Sequence, residues 1–155
     1  MSILGSNNAD IESQIKNWIT EHLVNIGPLD YELKRGPYTE KCGSIEIIYP
    51  AGYIINIKDK DVVLIEYKEN TLPDYIHFGS ITAGSFICSH SNFNSMRGFP
   101  KNVGGHFDCC FCAGLESIED APQIVDKDFA LMHCGRDFTE EEIRHISHIT
   151  GKVYC

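Results

Sequence analysis

At 155 residues the chain has the length of one domain, 1–155, and enough bulk to bury a core without help from disulfides or metals. Its 13 Lys and Arg against 22 Asp and Glu give a net charge of −9, which argues against duplex nucleic acid as a partner, because a phosphate backbone calls for a basic face. The opening MSILGSNNADIE lacks the basic and apolar stretches of a signal peptide, and the longest aliphatic run, Val62-Val63-Leu64-Ile65, is too short to span a bilayer. Seven cysteines, an odd count without an export signal, then read as thiols in a reducing cytosol.

Residues 1–9 read as a polar leader, with Asn7 or Asn8 as a helix N-cap. Ile11, Ile15, Trp18, Ile19, Leu23 and Ile26 follow at helical spacing, which predicts an amphipathic helix within 7–28, closed by Gly27-Pro28. Residues 29–43 read as irregular, with Gly36-Pro37 as a turn. Three β-like runs follow at 44–49, 53–58 and 62–68, separated by the turn sequences Pro50-Ala51-Gly52 and Asp59-Lys60-Asp61, and a fourth lies at 75–78. Residues 44–80 are expected to form a small β cap, since the first coil of a repeat array would otherwise expose its core.

Residues 81–136 repeat themselves. Phe93 returns as Leu115, Met96 as Ile118, Pro100 as Pro122, Val103 as Val125 and Phe107 as Phe129, each 22 residues on. Phe86 to Phe107 and Cys88 to Cys109 step by 21. A period in the low twenties is that of leucine-rich repeats, each a strand plus an irregular return. Phe86-x-Cys88, Phe107-x-Cys109 and Phe129-x-Leu131 take the two inward strand positions, and Ser91, Cys112 and Cys134 take the position that bonds to turn backbone. After the repeats, 139–155 read as a C-terminal cap. Thr139-Glu140-Glu141-Glu142 is a capping box that opens a helix to about residue 149, with Ile143 and Ile146 on one side and Gly151 as its stop; 152–155 could add a last strand. The fold class expected is α+β: a short leucine-rich-repeat-like solenoid between an N-terminal helix with a β cap and a C-terminal capping helix.

This layout resembles the short-repeat proteins of T-even-type tailed phages, whose repeats run close to F-D-C-S-x-N-x-L-T-S-L-x-G-x-P-x-x-V-G-G. The resemblance rests on Ile15-x-x-Trp18, Asp30-Tyr31-Glu32-Leu33, Leu72-Pro73 and above all 95–109, SMRGFPKNVGGHFDC. It covers roughly residues 11–134. The second repeat departs from the pattern by an extra residue, Ala113 or Gly114, and by Asp126-Lys127 in place of Gly-Gly; the acidic helix and the ending GKVYC stand outside it. The resemblance implies a phage-encoded, non-enzymatic solenoid in the host cytoplasm.

Cysteine and histidine density raises the question of zinc. Cys88, Cys109, Cys112 and Cys134 fall at inward repeat positions, where a buried thiol is a small apolar plug, and packing is the reading preferred over ligation. Cys110 is expected to face outward. A catalytic pair of Cys110 with His106 is disfavoured, because strand residues two apart sit about 7 Å from each other while such a pair meets at about 3 Å. His145 and His148 read as exposed helix residues, and Glu116, Glu119 and Glu140–Glu142 as a solvated acidic surface. No catalytic residue, metal ligand or cofactor is assigned. The candidate site is the outward face of the repeat strands: Ile87, His90, His106, Asp108, Cys110, Phe111, Met132 and His133, apolar residues amid polar ones. The partner expected there is a host or phage protein with a basic patch, and neither nucleic acid nor membrane. The alternative is a Cys/His-rich zinc-dependent effector or enzyme.

Overall fold

A computed structural model describes residues 8–155, so Asn7 and the leader before it lie outside the described residues. α1 (Asn8–His22) forms where the helical spacing places it. It buries Ile15, Trp18 and Ile19, and the indole meets the rings of Tyr67 and Phe78 edge-on at 6.2 Å. The helix stops short of Ile26. A turn carries Leu23 and Ile26 into the core beyond its end, and the Gly27 N–H donates to the Asp30 carboxylate at 3.0 Å.

β1 (Tyr31–Cys42) and β2 (Ile45–Ile57) form a long antiparallel hairpin, which corrects the irregular reading of 29–43. Charged side chains had masked the alternation of half-buried Tyr31 and Leu33 with exposed neighbours. Neither Gly36-Pro37 nor Pro50-Ala51-Gly52 is a turn. Gly36 pairs with Gly52 and Tyr38 with Tyr49, so Pro50 and Ala51 bulge opposite Pro37. Pro37 costs no ladder bond because β1 is an edge strand. The true turn is Gly43-Ser44, where Gly43 adopts φ +65°.

Past the hairpin the chain winds into a β-solenoid. β3 (Val62–Val63) is followed by β4 (Phe78–Ile81), β5 (Phe86–Ile87), β6 (Asn102–Val103), β7 (Phe107–Asp108), β8 (Ile124–Val125) and β9 (Phe129–Ala130). The runs read at 62–68 and 75–78 thus shrink to two residues and shift to 78–81. Strands stack in parallel into two sheets: a first of order β1-β2-β4-β6-β8-β10 and a second of order β11-β9-β7-β5-β3, completed by β10 (His148–Ile149) and β11 (Val153–Tyr154). Each repeat therefore carries a second strand in what the sequence suggests is an irregular return. Between the sheets lies the core. Phe86, Phe107 and Phe129 are fully buried and stack coil on coil, with centroids 6.0 and 4.8 Å apart.

One polar side chain per coil ties the corner between the sheets to the next coil. The Asp61 carboxylate accepts the Ser85 N–H, the Ser85 hydroxyl accepts the His106 N–H, His106 Nδ1 accepts the Asp128 N–H, and the Asp128 carboxylate accepts the Lys152 N–H, at 2.8, 2.8, 3.2 and 2.8 Å. The corner from Ile81 to Phe86 holds one residue more than that from Val103 to Phe107. That extra residue is why the second sheet steps by 21 where the first steps by 22.

α2 (Glu140–Ile146) opens on the expected capping box, with Thr139 and Glu142 bonded reciprocally. It ends at Ile146, three residues early, because the chain must re-enter the first sheet as β10. Ile143 is buried, while Ile146, three residues on, stays 39% exposed. Among the described residues no helix is long and apolar enough to cross a membrane.

The distal half of the hairpin crosses the outer face of the first sheet. Ile47 and Tyr49 pack with Ile54 and Ile124 in a second small core. Glu40 accepts hydrogen bonds from the Tyr49 and Ser80 hydroxyls, both at 3.3 Å, and the Asn102 amide reaches Cys42 Sγ at 3.5 Å. Burial holds the Tyr49 phenol well above its ordinary value of 10.0, despite a favourable contact with Ser80. A raised folded-state value means stability is fully present below the unfolded value and is lost as pH rises beyond it. Urea midpoints should therefore fall above about pH 10. The fall should be shallower in Tyr49→Phe, and an identical slope would contradict this burial.

Candidate functional site: the outer face of the second sheet

The hairpin leaves the second sheet alone. Among the described residues no element covers the outer face of β3, β5, β7, β9 and β11, where Ile87, Asp108 and Ala130 are half-buried and Val63 and Tyr154 exposed. β3, β5, β7 and β9 then turn through a residue of positive φ: Glu66 at +59°, His90 at +57°, Phe111 at +59° and His133 at +58°. These residues occupy the same place in successive coils. The rings of His90, Phe111 and His133 stack face to face, with centroids 4.5 and 4.8 Å apart. An aromatic residue is strained in the left-handed region by about 1–3 kcal/mol. Phe111 keeps this conformation with 46% of its surface in solvent. In the adjacent row Ile65 is 54% and Met132 36% exposed. Together Val63, Ile65, Phe111, Met132 and Tyr154 make an apolar strip along the axis, interrupted at the second coil by Ser89 and His90.

Of the residues predicted from sequence, Ile87, His90, Phe111, Met132 and His133 do lie together on this face. His106 and Asp108 have structural work. His106 belongs to the corner ladder, 3.6 Å from the Asp128 carboxylate, and Asp108 accepts the Cys110 N–H at 3.0 Å. Cys110 corrects the expectation of an outward thiol. It sits in the outer row, but its neighbours leave it 5% exposed, and its sulfur accepts the Met132 N–H at 3.2 Å. Burial pushes this thiol up to about 12. Val63, Ile65 and Tyr154 were missed. Val62-x-Leu64-x-x-Tyr67 has the spacing of Phe86-x-Cys88-x-x-Ser91, and that match would have found the first two.

The inward thiols behave as the repeat predicts. Ser91 donates to Leu64 O at 2.6 Å, Cys112 to Cys88 O at 3.3 Å and Cys134 to Cys109 O at 3.2 Å, one equivalent bond per coil. The sulfurs of Cys88 and Cys109 touch at 2.6 Å, and Cys112 lies 3.5 Å from Cys109. All seven cysteines are free. Burial drives Cys88 and Cys109 well above the ordinary thiol range. Hydrogen bonds from Cys109 and Cys88 instead hold the Cys112 thiol low, at about 3, so what protects it is its burial. Labelling needs access as well as a thiolate, so native labelling should begin at exposed Cys155 and leave Cys88, Cys109, Cys110 and Cys112, all buried, unmodified until the protein unfolds. Early loss of the Cys110 thiol would show that the outer row is open.

His145 is exposed on α2 while His148 opens β10, so the two do not share a helix face. Among the described residues no group of three His, Cys, Asp or Glu side chains is arranged to hold a metal ion. No protein-family model, no curated protein and no solved structure matches this chain.

Proposed function

We propose that the chain is a non-enzymatic binding protein that docks another protein on the outer face of its second sheet. The observation that carries this reading is the asymmetry of the two sheets: the hairpin buries the outer face of the first, while the second presents an apolar strip set on rigid, hydrogen-bonded coils. A preformed surface loses little conformational freedom on binding. The net charge of −9 favours a partner with a basic patch and an association rate that falls with salt. The repeat pattern supports a leucine-rich-repeat-like origin among tailed-phage proteins, acting in the host cytoplasm to inhibit or redirect a host or phage protein.

The test is capture from bacterial lysate, with and without infection, on immobilised protein. The triple variant Ile65→Ser, Phe111→Ser, Met132→Ser should lose the bound species while melting as the parent does. Ile48→Ser, on the hairpin and 67% exposed in the parent, should keep it. Retention by the triple variant and loss by Ile48→Ser would move the site to the hairpin.

A further inference from the structure

Each coil of the second sheet is bonded to the one before it, except the first. Val62 N donates to Ser85 O at 2.8 Å and Leu64 N to Ile87 O at 2.7 Å. In a parallel pair, alternate residues direct both backbone groups to the same side. The N–H and C=O of Val63 therefore point away from β5, at the free edge of the sheet. Ile65 stands where Met132 stands in a later coil, and the Met132 N–H turns back to the preceding coil, to Cys110 Sγ. For Ile65 no preceding coil exists.

Side chains block two neighbouring edge positions of the two sheets. Asn25 Nδ2 donates to Asp61 O at 3.0 Å, just ahead of β3. At the far end of the first sheet Arg144 donates to Ile149 O and Gly151 O, both at 3.0 Å. Among the described residues nothing of this kind reaches Val63 or Ile65, and β3 carries none of the lysines, prolines or bulges that commonly protect an exposed edge. A groove runs beside it. His22 at the end of α1 forms one wall, and Val63, Ile65, Glu66, Tyr67 and Glu69 line the other.

We propose that the free edge of β3 takes up an extended, basic peptide segment of a partner protein as an additional strand of the second sheet. An extended backbone is the chemistry that matches the alternating groups of Val63 and Ile65. The charge of the groove selects a basic segment. Glu66 and Glu69 line it against Lys68 alone. Glu69 and Glu21 both lie near the phenol of Tyr67, whose pKa is raised by burial first and by these carboxylates after it. This edge shares Val63 and Ile65 with the apolar strip but uses their backbone groups rather than their side chains, so Ile65→Ser should spare peptide uptake here and Ile65→Pro should not, which lets either site fail without the other.

The experiment is amide hydrogen exchange with an acetylated, amidated hexapeptide of alternating arginine and valine as the probe. Saturating peptide should slow exchange at Val63 and Ile65 by about tenfold or more, the equivalent of about 1.4 kcal/mol. A hexapeptide with glutamate in place of arginine should give no protection. Ile65→Pro removes an N–H that the fold does not use, at a turn position that precedes a positive φ and therefore suits proline. It should weaken the arginine peptide by about tenfold while leaving the melting temperature unchanged. Unchanged exchange at Val63 and Ile65, or equal binding of both peptides, overturns the proposal. Protection that grows with protein concentration in the absence of peptide would assign the edge to a second copy of the chain, and overturns it as well.

Discussion

Phe107→Ala should lower the free energy of unfolding by about 3–5 kcal/mol, a large part of the stability of a domain this size. Phe107 is fully buried at the centre of the stack, between Phe86 and Phe129, with Phe99 6.2 Å away on the return side. Truncation removes contacts with both neighbouring coils, and flanking strands fixed by inter-coil backbone bonds cannot close the gap. In urea the midpoint should move and the slope should hold. A variant with the parent's midpoint would mean that the coils do not share one continuous core.

Tyr49→Ala should cost about 3 kcal/mol, the low end for a buried aromatic, and the loss should be local. Tyr49 stacks on Tyr38 at 4.6 Å, is 1% exposed, and places its hydroxyl between Glu40 and Ser80. Without it the distal hairpin should lift from the first sheet. Amides of the hairpin should then exchange faster, while those of β7 and β9, buried in the solenoid, keep their protection. Equal acceleration across the whole chain would contradict the hairpin as a separately docked cover.

The solenoid was legible because its signal repeats. Phe at one spacing, an inward Cys or Leu two positions on and a hydrogen-bonding Ser or Cys three beyond that recur in three successive coils, since each coil must present the same shape to the next. The same logic marks what went unread. Gly151-Lys152-Val153-Tyr154-Cys155 copies Gly105-His106-Phe107-Asp108-Cys109, and Val153 pairs with Phe129 as Phe129 pairs with Phe107. The last strand expected at 152–155 does form, as β11, but valine in place of phenylalanine, and the helix ahead of it, hid that it is one more coil of the repeat. The second strand of each repeat is two residues long, too short for alternation to show. The hairpin was obscured by its prolines, which usually mark turns and here sit at a bulge. Cys110 was assigned correctly to the outer row, but strand alternation says nothing of how neighbouring coils shield a small side chain. The covering of one sheet and not the other depends on contacts between residues some 40 to 80 positions apart, such as Glu40 with Ser80 and Ile47 with Ile124. No local pattern encodes them.

The central claim is that the uncovered sheet is the docking face, and hydroxyl-radical footprinting of the protein with its captured partner tests it most directly. Exposed side chains are oxidised and those under a partner are spared. Ile65, Phe111, Met132 and Tyr154 should lose reactivity in the complex, while Val24, Leu29 and Ile48, exposed at 88%, 86% and 67%, stay as reactive as in the free protein. Protection of Ile48 with Phe111 and Met132 still oxidised would place the partner on the hairpin and contradict the account.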